Sequence, residues 1–584
     1  METSKGILCE RTPLRAGTLA VGFVLIAALT AGASPAPQGT TTRASVDSDG
    51  KQGSLSSALL YGRSLSADGR FVAFQSKHAF VEPDSNKYLD VFVHDRQTGE
   101  TKLVSVNGSG SAAGGDQPAI SADGRHIAFT SYAYDLVHGP TSGYYDVYVR
   151  DHEHGVMTLA SVTSTGLAAN SGSYFASISG NGSQVVFLSY ATNLVPGDTN
   201  GTYDIFVRDL ANSITTRVNV ASTGVQANAQ SFHSTISADG RHVAFASDAT
   251  NLVPGDTNGT QDVFVHDRGS GVTTRVSVDS SGTQASGRST HPVLSADGRF
   301  VAFVSEAPDL VGSDTNGVAD VFLHDRQSGQ TRRVSVGPAG LQANAPSGTP
   351  AIAGDGSRVA FQSDASNLVL GDTNGASDAF LHDLATGRTE RLSVDSDGAQ
   401  GNGASGMPSL SADGRLACFQ SAASNLVMGD TNGVPDIFVR DRECGVSIYC
   451  TAKFSSALCI PAMGFSGTPS ASAGQGFLIE ATGFTPLQPG VFAYSKLGPA
   501  AVPFQGGFLC AQVPLVRIPV ANTGALGPCE GSFSLDFNAY VTSGADPALV
   551  AGKTIWGQWW ARDPGRPPPD NVSLSDAIRV TLCP

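Results

Sequence analysis

The sequence predicts an all-β protein: a seven-bladed β-propeller of four-stranded blades, followed by a small disulfide-bonded domain of the β-sandwich type. Three observations predict it. The tag S-A-D-G-R recurs with small changes at seven places, its turn Asp or Asn falling at Asp68, Asp123, Asn181, Asp239, Asp297, Asp355 and Asp413. The first gap is 55 residues and the next five are 58 each, and a fixed period of this length marks an array of one supersecondary unit. No helical period runs through the array, and six cysteines follow it.

Each unit reads as strands, the fourth being the clearest. A short apolar run approaches the tag, as in Ser234–Ser237, and A-D-G then makes a tight turn in which Gly240 is free to take positive φ. Val243, Phe245 and Ser247 alternate with Ala244 and Ala246, a period of two. Asp262–Asp267 (D-V-F-V-H-D) is a third β-rich run, and after the R-G-S-G turn Thr273–Val278 is a fourth. Four antiparallel strands repeated radially describe a propeller blade.

The ends predict how the ring closes. The D-x-[FY]-x-x-D strand begins at Asp90, Asp146, Asp204, Asp262, Asp320, Asp378 and Asp436. The fourth-strand type also occurs seven times but is shifted: it begins before the first tag, at Thr41–Val46, and is missing after Asp441. Pairing the spare N-terminal strand with the three-stranded last unit leaves no open sheet edge. The propeller is expected to span residues 39–443.

The motif P-x-x-S-x-D-G-[KR]-x-[IV]-A-F followed by D-[IV]-F-V-x-D resembles the WD-like (TolB-type) β-propeller repeat of bacterial envelope and secreted proteins. The resemblance covers about 400 of 584 residues. It implies the fold and leaves function open, since such propellers serve as protein-binding platforms and as domains attached to peptidases.

Residues 1–15 carry Lys5, Arg11 and Arg15, and an apolar and small run fills Ala16–Ala31. Ala31-Gly32-Ala33 is a small-x-small cleavage site, with Ala36 an alternative. This reads as a secretory signal peptide over 1–33, with no membrane span after cleavage. The expected location is secreted or cell-envelope. A net charge of −15 argues against nucleic acid or an anionic membrane as partner.

The chemistry concentrates in the loop between second and third strands. In five units it reads [GS]-D-T-N-G-x-x-D, giving Asp198, Asn200 and Asp204; Asp256, Asn258 and Asp262; Asp314, Asn316 and Asp320; Asp372, Asn374 and Asp378; and Asp430, Asn432 and Asp436. Unit one keeps the spacing as Asp84, Asn86 and Asp90, and unit two breaks it with Pro140 and Ser142 before Asp146. Hard cations want several oxygens from a short curled loop, so these residues are candidate Ca²⁺ ligands. The competing reading is Asx-turn chemistry alone. Propeller geometry puts these loops on one face with the inter-blade G-x-Q-A-[NS] loops of Gln226, Gln284 and Gln342, a polar surface suited to a glycan or an extended protein chain.

Other repeated residues read as structural. The Asp ending the third strand caps the following turn, and the residue before it, His94, Arg150, Arg208, His266, His324, His382 or Arg440, accepts both His and Arg and so reads as a surface position rather than a metal ligand. No G-x-S-x-G, H-E-x-x-H or C-x-x-C motif is present. The expectation is a monomeric, non-catalytic exported scaffold that binds a protein or glycan, not an enzyme. The alternative is an extracellular carbohydrate-active hydrolase or lyase on the propeller rim, with the aromatic pair Tyr144/Tyr145 of unit two marking where to look.

Residues 444–584 hold Cys444, Cys450, Cys459, Cys510, Cys529 and Cys583 and all three tryptophans. An even count in an exported domain implies three disulfides, Cys510–Cys529 being the favoured pair. Cys418 falls at a buried strand position and reads as a free thiol. Gly476–Thr482, Gly490–Leu497, Phe533–Tyr540, Ile555–Arg562 and Ala577–Leu582 read as strands. This tail resembles a β-rich, Cys-containing module closing many secreted bacterial proteins.

Overall fold

The structure is a computed structural model. It describes residues 39–442 apart from 60–62, 83, 85, 140 and 397, and residues 445–582 apart from 450–460, 468, 472, 498, 505–506, 521–528, 551–552 and 564–571. The segment predicted to be a signal peptide, Pro140, and Cys444, Cys450, Cys459 and Cys583 lie outside the described residues. Among those described, no helix is long and apolar enough to cross a membrane.

The tandem units fold as predicted from their period. Seven four-stranded antiparallel sheets run through the array, the arrangement of a β-propeller. Unit four is typical, with strands Ser231–Ile236, His242–Ser247, Asp262–Asp267 and Val272–Arg275 in that order across the sheet. Alternation sets its register: Phe245 stands directly opposite Phe264, and their rings stack at 5.9 Å. The same pair recurs as Phe303/Phe322 and Phe361/Phe380, and as Phe129/Tyr148 in unit two. Truncating a fully buried ring of this kind costs about 3–5 kcal/mol, so every unit carries its own core.

Closure uses the predicted strand. Thr40–Arg43 pairs antiparallel with Asp436–Asp441, Thr40 opposite Asp441, and completes the seventh sheet. Backbone bonds between the tag turns join the units on the inside: Ala67 N–H donates to Ala122 at 2.9 Å, Ala238 to Ala296 at 2.9 Å and Ala296 to Gly354 at 2.8 Å. The Ala412 N–H donates to Ala67 at 2.8 Å and links the last unit to the first. Gly240, at φ 74°, makes its turn in the left-handed region as the sequence requires.

After the array, one five-stranded sheet includes Gly490–Ser495, Thr554–Arg562 and Val572–Thr581, and a three-stranded sheet contains Ala462–Ser466, Leu478–Phe484 and Gly531–Asp536. Both contribute to one core, with Phe477, Phe492, Phe533 and Trp559 fully buried. The strand predicted over Phe533–Tyr540 stops at Asp536. That carboxylate accepts from Ala539 N–H, caps a helix over Phe537–Thr542 and turns the chain. Trp560 lies beneath Arg517, 5.4 Å from its guanidinium. Cys510 and Cys529 are each disulfide-bonded. Cys418 is a buried free thiol, and burial pushes it up to about 12.

Candidate functional site

The D-x-N-G-x-x-D loops curl as expected, but in five units their carboxylates already hold a cation. In unit three, Asn200 Nδ2 donates to Asp204 at 3.0 Å, and Gln226 Nε2 donates to Asp198 at 2.9 Å. Arg217, from the fourth strand, places Nη1 3.3 Å from Asp198 and 3.4 Å from Asp204. Arg275 does the same for Asp256 and Asp262, Arg333 for Asp314 and Asp320, Arg391 for Asp372 and Asp378, and Arg43 for Asp430 and Asp436. The guanidinium supplies the countercharge a dication would bring. Among the described residues no group of three or more His, Cys, Asp or Glu is placed to hold a metal ion. In these fifteen residues the two carboxylates of each loop form an internal ion-pair cluster with an arginine, which stands where a Ca²⁺ ion was expected. The signal was present in the sequence, an arginine thirteen residues after Asp204, Asp262, Asp320 and Asp378, and was missed because each loop was read alone.

Units one and two differ. Leu103 and Leu159 stand opposite Phe92 and Tyr148, the register position that Arg217 and its equivalents occupy elsewhere. Asp84, Asn86 and Asp90 thus come together without an arginine. Burial raises the Asp84 and Asp90 carboxyls, and Asp90 Oδ2 has no hydrogen-bond partner. In unit two Ser142 donates through N–H and Oγ to Asp146, at 2.9 and 2.8 Å, and fills the role of the missing loop.

The predicted sharing of one rim holds: Gln226, Gln284 and Gln400 of the inter-unit loops bond Asp198, Asp256 and Asp372. The third-strand His position is not a surface one. His94, His266 and His324 are buried, each Nδ1 within 2.9 Å of a threonine hydroxyl, and burial brings His94 down to about 4. The strand-ending Asp does cap its turn, as Asp95 does for Gln97 N–H at 2.9 Å, and it also pairs with the tag arginine.

Between units one and two lies a cleft of about 670 Å³, lined by Tyr88, Tyr132, Tyr134 and Tyr145 with Lys77, Lys87, Asp116 and Asp135. Tyr88 and Tyr134 are 69% and 81% exposed, an unusual placement for rings that pack nothing. Ring contacts run onward from Tyr132 to Tyr145 at 5.5 Å, to Tyr174 at 5.6 Å and to Phe175 at 6.5 Å. Asp116 opens the first strand of unit two. Its Oδ1 is buried with no hydrogen-bond partner, and burial pushes the carboxyl up to about 6. Asp135 accepts from Asn107 Nδ2 at 2.7 Å.

A second asymmetry adjoins it. Gln117, Phe175, His233, His291, Thr349 and Met407, spaced by 58 residues, all have φ between 44° and 57° at a bulge in the first strand of their units. Non-glycine residues pay to sit there, and such strain clusters where side chains must be aimed. Gln117, Phe175, His233 and His291 line one small cavity, where His233 and His291 stack at 4.0 Å. Burial holds them down to about 4 and about 3, so both are neutral at physiological pH. The period marks this position, but its six different side chains form no motif.

No family model and no curated protein matches the chain. Solved structures similar to it include an oligogalacturonate lyase in complex with manganese, at 14% identity and TM-score 0.43, over 70% of this chain and 94% of that one. The β-propeller domain of the Trilobed protease from Pyrococcus furiosus is similar at 11% identity and TM-score 0.41, over 66% and 96%. TolB from Acinetobacter baumannii follows at 18% and 0.31, over 52% and 58%. What those proteins bind or act on is theirs. The expectation of a non-catalytic scaffold is corrected here, because similar architectures include those of a lyase, prolyl endopeptidases and acylaminoacyl peptidases. Its premise, carboxylates alike from unit to unit, also fails at units one and two.

Proposed function

We propose that the chain is an exported carbohydrate-active enzyme, a hydrolase or lyase, whose site is the tyrosine-lined cleft between units one and two. The observation that carries the reading is Asp116: a half-buried carboxyl on the lining of the cleft, its buried Oδ1 unpartnered, raised to about 6. A carboxylic acid that keeps its proton near neutrality can protonate a departing glycosidic oxygen. Asp135, on the same lining, supplies the second carboxylate. In hydrolysis it would activate water or attack the anomeric carbon. In a lyase it would take the proton beside a sugar carboxylate while Asp116 protonates the leaving oxygen, and a carbon–carbon double bond forms. Tyr88, Tyr132, Tyr134 and Tyr145 offer faces on which sugar rings stack, and Lys77 and Lys87 favour an acidic glycan.

The array serves this site as a seven-bladed propeller over residues 39–443, with 444–584 a separate disulfide-containing domain, residues 1–33 (or 1–36) a signal peptide and the mature protein a monomer. Cation binding, under this reading, is confined to Asp84, Asn86 and Asp90 of unit one, where no arginine competes. The test is a panel of neutral and uronate-containing polysaccharides, followed by reducing-end release and by the ultraviolet absorbance of an unsaturated product. Activity on one glycan class, lost in Asp116→Asn, supports the reading. No release from any, or full activity in Asp116→Asn, refutes it.

A further inference from the structure

On the inner side of the array the first strands and tag turns of the units enclose a cavity of about 70 Å³. Its lining comes from all seven units and is otherwise neutral: small or aliphatic residues such as Ala67, Ala238 and Val293, with the hydroxyls of Ser177, Thr235 and Ser409. Arg63 is the exception. Leu65 bridges Val72 as Ile120 pairs with Ile127, so Arg63 occupies the register place of Pro118. The period extends the series to Ala176, Ser234, Pro292, Pro350 and Pro408. One unit in seven has put a guanidinium where the rest keep proline or a small side chain.

Among the described residues the Arg63 side chain makes no hydrogen bond and no ion pair, and no carboxylate lines the cavity. The tag arginines and the fourth-strand arginines that face the loops pair with aspartates, and the buried Arg208 and Arg440 donate to backbone carbonyls, so a guanidinium with neither kind of partner departs from the habit of this chain. Burial lowers Arg63 with nothing opposing it, which is how a cation without a nearby anion behaves. Arg63 is half-buried, and a charge partly withdrawn from bulk water is costly unless it is paired or binds something.

We infer that the inner cavity is an anion site in which Arg63 holds a compact oxyanion, carboxylate or tetrahedral, assisted by the Ser177, Thr235 and Ser409 hydroxyls. The guanidinium fork matches either geometry through paired N–H donors. One water needs roughly 10–15 Å³ of such space, so the cavity takes a small anion or a few waters and excludes a nucleotide or a sugar chain. This site is separate from the cleft and does not rest on its being catalytic.

The experiment is isothermal titration of inorganic phosphate, sulfate, acetate and succinate into the full mature chain, the Arg63→Met and Arg63→Lys variants, and Asp116→Asn. The expected result is one site per chain for at least one anion, weakened tenfold or more by Arg63→Met, weakened less by Arg63→Lys and unchanged by Asp116→Asn. Tetrahedral against carboxylate preference identifies the class. Should Arg63→Met not fold, a melting-temperature series in each salt decides. The wild type should rise more than Arg63→Lys, whereas the general effect of an excluded salt is common to both. Absence of binding by all four anions, affinity unchanged in Arg63→Met, or equal salt shifts in wild type and Arg63→Lys overturns the inference.

Discussion

Replacing Arg333 by Leu would give unit five the arrangement that units one and two carry natively with Leu103 and Leu159. In the wild type Arg333 Nη1 lies 3.0 Å from Asp314 and 3.2 Å from Asp320, with side chains 6%, 5% and 0% exposed. Removing one partner of a buried ion pair costs about 3–5 kcal/mol, because the charge left behind keeps its desolvation and loses its compensation. Ser335 and Asn316 still bond Asp320, so the uncompensated charge falls chiefly on Asp314. Burial already raises the Asp314 carboxyl while Arg333 opposes the rise, so the substitution raises it further. A folded-state carboxyl raised above its unfolded value binds more protons folded than unfolded, and stability then falls as pH rises. The deficit should be largest at pH 7 and shrink toward pH 5. The assay is urea unfolding at both pH values for wild type, Arg333→Leu and Arg333→Leu/Asp314→Asn, the double variant recovering most of the loss. A cost below about 1 kcal/mol at pH 7, the range of exposed pairs, or a deficit that grows on acidification, would refute the reasoning.

If Asp116 is the acid of the cleft, activity should fall as pH rises through about 6, and a rate profile flat to pH 8 would exclude it. Asp116→Asn should also stabilise the fold above pH 6, because the raised carboxyl is a liability once ionised, and thermal melts across that range check it. Tyr134→Ala, at 81% exposure, should weaken glycan binding several-fold with no change in melting temperature. Elemental analysis should find at most one Ca²⁺ per chain, lost in Asp84→Asn/Asp90→Asn and kept when Asp198 and Asp256 become Asn. Arg241→Ala breaks a pair whose arginine is 53% exposed and should leave the urea unfolding midpoint nearly unchanged.

The repeat was legible because its physics is local. Phe245 opposite Phe264, the A-D-G turn and the spare strand at Thr40–Arg43 each follow from a short pattern repeated at a constant interval. The loops were half legible for the converse reason. Asp198 and Asp204 were visible as paired carboxylates, yet their partner Arg217 arrives across a strand pair, and charge compensation is a property of the sheet rather than of the loop. The cleft was pointed to by Tyr144/Tyr145, but Asp116 belongs to no repeated motif, with Tyr174, Phe232, Thr290, Gly348 and Gly406 at the equivalent positions. Its perturbation comes from burial, which no local pattern encodes. Gln117, Phe175, His233 and His291 share backbone strain without sharing chemistry, so only the structure reveals them as one ring.

A tandem array this regular allows a further step. Where the copies serve only the fold, one residue type recurs at a position, as the stacked aromatic pairs do throughout and the tag Arg–Asp pairs do in five units, Ser183 and Ser357 standing at the tag position of units three and six. Departures from that rule mark positions under a different demand, and those that change charge gather in units one and two. The missing arginines at Leu103 and Leu159, the replaced loop at Ser142, the raised Asp116 and the unpaired Arg63 all belong to units one and two. The strained ring adds Gln117 from unit two, whose Oε1 accepts from Phe175 N–H of unit three at 3.0 Å and ties the cleft side to the small cavity of His233 and His291. Under the proposed function, their gathering at one junction fits an array in which five units hold the ring and two carry the site.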